Sequence, residues 1–64
     1  MIHITVVERP LGDHSKVYDV ELGNVTLPAV SFEAAMALAL GLGELISQHT
    51  NDKIKHLFRS QEAV

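Results

Sequence analysis

An uncharged stretch in the middle of the chain limits its possible folds more than any other feature. Residues 34–43 contain no charged or hydrogen-bonding side chain, in a chain of 64 residues. A domain of this size is close to the lower limit at which a hydrophobic core is stable alone. The stretch must therefore contact the rest of the chain, a second copy or another partner. It is about half the length of a membrane span, and Glu33 and Glu44 flank it, so no span is predicted.

Composition narrows the class of protein further. The absence of cysteine excludes disulfides, thiolate zinc sites and cysteine nucleophiles. Secreted domains of this size usually need such cross-links, so we expect a cytoplasmic location. The formal net charge of −3 argues against general binding to nucleic acid or to an anionic membrane. Acidic residues predominate in residues 1–44, whereas basic residues slightly outnumber them in residues 45–64.

Alternating apolar residues predict three strands, at residues 2–8, 16–22 and 25–29. The Gly23-Asn24 pair between the last two strands is typical of a two-residue hairpin turn that needs positive φ. The turn sets a register that places six side chains on one face, pairing Leu22 with Val25, Val20 with Leu27 and Tyr18 with Ala29. Because Pro28 cannot donate a backbone hydrogen bond, the third strand is expected to be short or at an edge.

One long helix is predicted over residues 32–49, with Ser31 as N-cap and Glu33 in its first turn. On a helical wheel its apolar arc is about 200° wide, twice the width that one sheet usually covers. The predicted strands cover about half of this arc, and the C-terminal segment or a second subunit is expected to cover the rest. The residues expected at this oligomer interface are Leu38, Leu42, Leu45, Gly41 and Gly43.

Small residues recur within the predicted helix. Two helical glycines cost about 1 kcal/mol each relative to alanine, which suggests a packing reason for them. Ala35, Ala39 and Gly43 form one ridge of small residues, and Ala37 and Gly41 form a second. Such ridges allow another backbone to approach closely. The alternative is that the two glycines mark a kink or an early end of the helix.

A short second helix is predicted over residues 52–62, because Ile54, Leu57 and Phe58 have helical spacing. The alternative is a final strand in which Ile54, His56 and Phe58 alternate with other residues. The expected fold is a single α+β domain that spans the chain in the order β-β-β-α-α. It is a three-stranded antiparallel β-meander packed on one long helix, followed by the short C-terminal helix.

The sequence predicts no catalytic, metal or cofactor site. Asp13, His14 and Ser15 are the residue types of a hydrolase triad, but adjacent residues in a loop do not adopt the triad geometry. A polar turn explains them. The histidines at positions 3, 14, 49 and 56 include no pair at the helical spacing used by metal sites.

The C-terminal segment carries a basic group that we predict as a partner-binding site: Lys53, Lys55, His56 and Arg59. Side chains of this kind contact phosphates or an acidic partner surface. The alternative is a solvated face of the predicted second helix. No aromatic residue lies among the basic ones for base stacking.

Taken together, these features predict a small, non-enzymatic, intracellular protein-binding module. We expect a homodimer, because a symmetric copy is the simplest way to cover an apolar helix face. It is expected to regulate or inhibit a larger protein by occupying a site on it, as small proteins of phages and other mobile elements do. The alternative is a nucleic-acid-binding regulator that uses the basic C-terminal helix.

Overall fold

A computed structural model describes residues 1–61 of the chain. Its elements are the strands β1 (Ile2–Leu11), β2 (Ser15–Leu22) and β3 (Val25–Ala29), the helix α1 (Phe32–Ser47) and the strand β4 (Ile54–Ser60). The strands form one sheet in the order β3-β2-β1-β4. Neighbouring strands are antiparallel except β1 and β4, which are parallel. Within the described residues, no helix has the length and apolar character that a bilayer crossing requires.

The expected three-stranded meander with two helices is wrong, although the fold is α+β. The segment predicted as a second helix forms β4, which is the strand given as the alternative from sequence. Residue 62, the end of the helix prediction, lies outside the described residues. The physical reason is that β1 is the most buried strand, with Ile4, Val6 and Val7 at most 3% exposed, so its backbone N–H and C=O groups need the partners that β4 supplies. In the structure Ile2 N–H donates to Lys53 O at 2.7 Å, and Gln61 N–H donates to Glu8 O at 2.8 Å.

The predicted hairpin register is confirmed. The pairs are Leu22 with Val25, Val20 with Leu27 and Tyr18 with Ala29. Gly23 has φ of 60°, the left-handed region that a primed two-residue turn uses. Turn chemistry and side-chain alternation therefore agree, and they bring the apolar face of β2 and β3 under the helix.

The helix begins as predicted and packs on the sheet through its smallest residues. The Ser31 side chain accepts a hydrogen bond from Ala34 N–H at 3.1 Å, which confirms it as the N-cap. Ala35, Ala39 and Gly43 are the buried residues of α1. A Cβ at Gly43 would lie 2.9 Å from Nε2 of His56. This ridge therefore brings the helix close to the chain's own sheet.

The core lies between α1 and one face of the sheet. Its buried residues are Ile4, Val6, Val20, Ala35 and Ala39. Larger, partly buried side chains surround them: Tyr18, Leu22, Ala29, Met36, Leu38, Leu42, Ile46 and Ile54. The helix is therefore held by one sheet face, and part of its apolar arc stays exposed.

The opposite face of the sheet is covered by long charged side chains. Val7 on this face is only 1% exposed, although no further element of residues 1–61 packs there. Two ion pairs surround it, with Arg9 Nε 2.6 Å from Asp19 Oδ2 and an Arg59 nitrogen 3.0 Å from Glu21 Oε2. Asp19 and Arg59 lie directly opposite Val7 on the two neighbouring strands, and the aliphatic part of a long charged side chain can cover an apolar neighbour while its charged end reaches water.

Candidate protein-binding edge

Backbone groups along one side of β4 have no strand beside them. In a parallel ladder, alternate residues of a strand direct both N–H and C=O to the same neighbour. The bonds from Ile2 N–H to Lys53 O and from Gln61 N–H to Glu8 O show that odd-numbered β4 residues bond to β1. The even-numbered residues therefore direct N–H and C=O to the free edge; they are Ile54, His56, Phe58 and Ser60.

The other edge of the sheet is shorter and interrupted. Strand β3 has 5 residues and includes Pro28. In a two-residue hairpin the residues flanking the turn form a hydrogen-bonded pair, so Thr26 and Pro28 face the free edge. Pro28 has no N–H to offer there. The two edges therefore differ strongly in how well they accept another strand.

The helix-facing side of β4 is open beside this edge. Helix α1 packs mainly over β1 and β2, and Phe58 is 54% exposed. The Phe58 ring meets the Phe32 ring edge to face, with centroids 6.1 Å apart. A cleft of about 160 Å³ lies between α1 and β4, lined by Val6, Met36, Ala39, His56, Leu57 and Phe58. An apolar pocket thus borders the unpaired backbone.

A carboxylate anchors the C-terminal end of β4. Glu8 accepts hydrogen bonds from the Tyr18 hydroxyl at 3.0 Å, the Ser60 hydroxyl at 3.2 Å and Lys16 Nζ at 3.3 Å. The bond from Tyr18 is the main cause that lowers the pKa of Glu8. Partial desolvation, followed by the same bond, raises the pKa of Tyr18. The cluster links β1, β2 and β4, and every member has a structural partner.

The basic residues predicted as a partner-binding site lie on β4 or directly before it. Lys55 and Arg59 share the face away from the helix, whereas His56 lies on the helix side next to Gly43. Arg59 donates to both Glu21 carboxylate oxygens, at 3.0 and 3.1 Å. Lys53 and Lys55 form no ion pair within residues 1–61. The free positive charge is therefore concentrated at the start of β4.

The predicted oligomer residues are divided between the core and the surface. Leu38 and Leu42 pack against the core, and Gly43 is buried where α1 contacts the sheet. Leu45 is 54% exposed, and nothing lies within 4 Å of a Cβ built at Gly41. Their assignment as an oligomer interface stays a prediction.

The remaining candidate positions offer no evident chemistry. Asp13, His14 and Ser15 lie exposed at the turn between β1 and β2. No group of three metal-ligating side chains is assembled among residues 1–61. A groove of about 620 Å³ opens beside that hairpin and the start of α1, with mostly apolar walls that include Leu11, Val17, Val30 and Leu38.

From sequence, strand β4 is predicted only as the alternative to a helix, and no function is assigned to its free backbone edge or to the cleft beside it. The preferred prediction places Phe58 on the apolar side of a second helix, and it assigns Met36 to no site. The signal was the alternation of Ile54, His56 and Phe58, which puts them on one face of a strand. Comparison with known proteins gives no further guide, because no protein-family model, no curated protein and no solved structure matches this chain.

Proposed function

We propose that this chain is an intracellular, non-enzymatic protein-binding module that regulates or inhibits a larger protein by occupying a site on it. The surface that binds is the free edge of β4. The mode is β-strand addition, in which an extended segment of the target becomes an additional strand of the sheet. The cysteine-free composition supports a cytoplasmic location.

The observation that carries this proposal is the continuous row of outward backbone groups on β4. Strand β4 runs for 7 residues without proline. Unpaired strand edges are templates for pairing, and natural proteins usually protect them with proline, short length or a covering element. Pro28 provides such protection on β3, whereas β4 has no proline and no strand beside its outer edge within residues 1–61. An added strand can therefore form more backbone hydrogen bonds at the edge of β4 than at the edge of β3.

Nucleic-acid binding remains the alternative from sequence, but no specific observation favours it. This alternative needs a basic C-terminal helix that contacts the nucleic acid, but the basic segment forms the strand β4. Arg59 is already paired with Glu21 on the outer sheet face. Two exposed lysines near one strand end provide a weak phosphate footprint.

The predicted homodimer is kept as a separate proposal. Its support is the exposed apolar surface of α1, where Leu40 and Leu45 are each 54% exposed. Light scattering over a dilution series tests it, with a dimer-to-monomer transition as the expected result. A monomer at every concentration contradicts it without affecting the proposal for β4.

Hydrogen exchange tests the binding edge directly. Heptapeptides selected from a random library on the immobilised full chain are added to ¹⁵N-labelled protein. We expect the amides of Ile54, His56, Phe58 and Ser60 to exchange fast in the free chain and slowly with peptide. The amides of the odd-numbered β4 residues should be protected in both states, because they bond to β1. Protection confined to α1 or to the β1–β2 turn would contradict strand addition.

Matched variants separate the backbone from the side chain. His56→Pro removes an outward N–H and should abolish peptide binding, whereas His56→Ala keeps that N–H and should retain most of it. Thr26→Pro removes an outward N–H from the opposite edge and should leave binding unchanged. Equal loss of binding in His56→Pro and Thr26→Pro would contradict the assignment to β4.

A further inference from the structure

The charge distribution along β4 restricts the segment that this edge accepts. The outer face of the strand carries Lys55, Leu57 and Arg59 in turn. Arg59 is neutralised by Glu21, while Lys55 has no acidic partner within residues 1–61. A residue of an added strand directly opposite Lys55 lies within reach of its ammonium group. An acidic side chain is the complementary choice at that position.

The helix-facing side of the β4 edge favours apolar side chains in the added strand. Side chains of an added strand alternate between the two faces, so the neighbours of the acidic residue point toward α1. There they meet exposed Phe58 and the cleft lined by Met36 and Ala39. The cleft has about 160 Å³ and apolar walls. Aliphatic or aromatic residues therefore fit on this side.

A second copy of β4 matches this pattern poorly. Residues 53–61 contain no acidic residue, so a copy of the strand offers Lys55 no opposite charge in any register. A twofold pairing centred on Leu57 also places Lys55 opposite Arg59 of the copy, and like charges in that position are unfavourable. The partner is therefore expected to be a different sequence.

We infer that the β4 edge binds an extended segment of another protein in which acidic residues alternate with large apolar ones. The acidic residues lie on the face of Lys55, and the apolar ones lie against Phe58 and the cleft beside α1. This inference rests on the proposed function, because it names the chemistry of the segment that adds to the edge.

Two synthetic peptides test the inference on the full chain. They are acetylated and amidated TVEVEVT and TVKVKVT, added to ¹⁵N-labelled protein at low ionic strength while the β4 amide resonances are followed. We expect the acidic peptide to bind at β4 about fivefold more tightly or better, since each exposed cross-strand ion pair contributes about two- to fivefold. Lys55→Glu should reverse the preference. Asn24→Asp combined with Val30→Glu makes the same change in net charge at exposed positions on the β3 side of the sheet and should preserve it.

The possible outcomes distinguish a failure of this inference from a failure of strand addition, the proposed function on which it rests. Edge binding of both peptides with equal affinity, or preference for the lysine peptide, overturns the acidic chemistry and leaves strand addition intact. Failure of both peptides to perturb or protect β4 overturns both. Concentration-dependent protection of the His56 and Phe58 amides without peptide would show that a second copy occupies the edge, and it overturns the inference.

Discussion

Strands β3 and β4 both lie at an edge of the same sheet, but they differ in what they expose. Strand β3 is held by a tight hairpin to β2, and Pro28 removes a donor from its outer side. Strand β4 follows α1 in the chain and pairs in parallel with β1. Four of its residues direct their backbone N–H and C=O groups to the free edge. One edge of the sheet is thus closed by local sequence chemistry, and the other is left available to a partner.

The difference shows how a small sheet directs association to one side. A domain with two open edges can pair with copies of itself on both sides, and proline on one edge disfavours such continuous sheets. The helix packs mainly over β1 and β2, and an apolar cleft lies between it and β4. Backbone donors, a pocket and free lysines therefore coincide on one edge.

The largest effect is expected from proline at adjacent positions of β4. Lys55→Pro removes an N–H that bonds to β1, so we expect a loss of roughly 2–4 kcal/mol in the free energy of unfolding. His56→Pro removes an outward N–H and should cost about 1 kcal/mol or less. The alanine variants at the same two positions report the loss of each side chain, including the approach of His56 to Gly43, so the difference between proline and alanine compares the backbone roles. Urea unfolding measures the two values.

Equal destabilisation by the two prolines would show that both sides of β4 are engaged, and the edge would not be free. A larger loss in His56→Pro than in Lys55→Pro would reverse the assigned alternation. Either result would remove the contrast between β3 and β4.

The same contrast explains which parts of the fold were predictable from sequence. The β2–β3 hairpin depends on Gly23-Asn24 and on side-chain alternation a few residues away, and its register was predicted correctly. The prediction of Ser31 as N-cap likewise depends only on residues a few positions away in the sequence. Strand β4 is predicted only as the alternative to a second helix, because the segment fits both patterns. Ile54, Leu57 and Phe58 have helical spacing, whereas the alternation with His56 fits a strand. The free edge of β1, far away in sequence, decides between them.

The candidate site was predictable only in part, for a related reason. Lys53, Lys55, His56 and Arg59 were identified from composition, but their distribution over two faces depends on β4 being a strand. The pairing of Arg59 with Glu21 joins residues 38 positions apart. The burial of Val7 on a face without a covering layer likewise depends on charged side chains that cross from neighbouring strands.

A moderate effect is expected from alanine at the two helical glycines, which differ in their distance from β4. Gly41→Ala meets open space and should stabilise the chain by about 1 kcal/mol through helix propensity. Gly43→Ala should gain less, because its Cβ would displace the His56 ring from 2.9 Å. Urea unfolding and the NMR signals of the His56 imidazole test both points. Equal gains with an unchanged imidazole environment would contradict the close approach of α1 to β4.

The smallest effect is expected from the carboxylate that ties β4 to the other strands. Because the pKa of Glu8 is lowered in the folded state, its ionised form stabilises the fold above its ordinary value of 4.5. That contribution decreases as the pH falls from 4.5 through the lowered pKa, when Tyr18, Lys16 and Ser60 lose a charged acceptor. Urea unfolding from pH 7 to pH 2.5 should therefore show an acid-dependent loss that is smaller in Glu8→Gln.

Hydrogen exchange of the amides tests whether the effect of Glu8 protonation is confined to the β4 edge of the sheet. Since Gln61 N–H donates to Glu8 O, its amide should exchange faster at low pH, after correction for intrinsic rates, while the Val25 amide of β3 changes little. Glu33→Gln, on the exposed first turn of α1, makes the same change in charge away from β4 and should leave the Gln61 amide as sensitive to pH as in the original chain. An acid response that loosens β3 and β4 equally would show that Glu8 acts on the whole sheet. The difference between the two edges would then reside in their backbone groups alone.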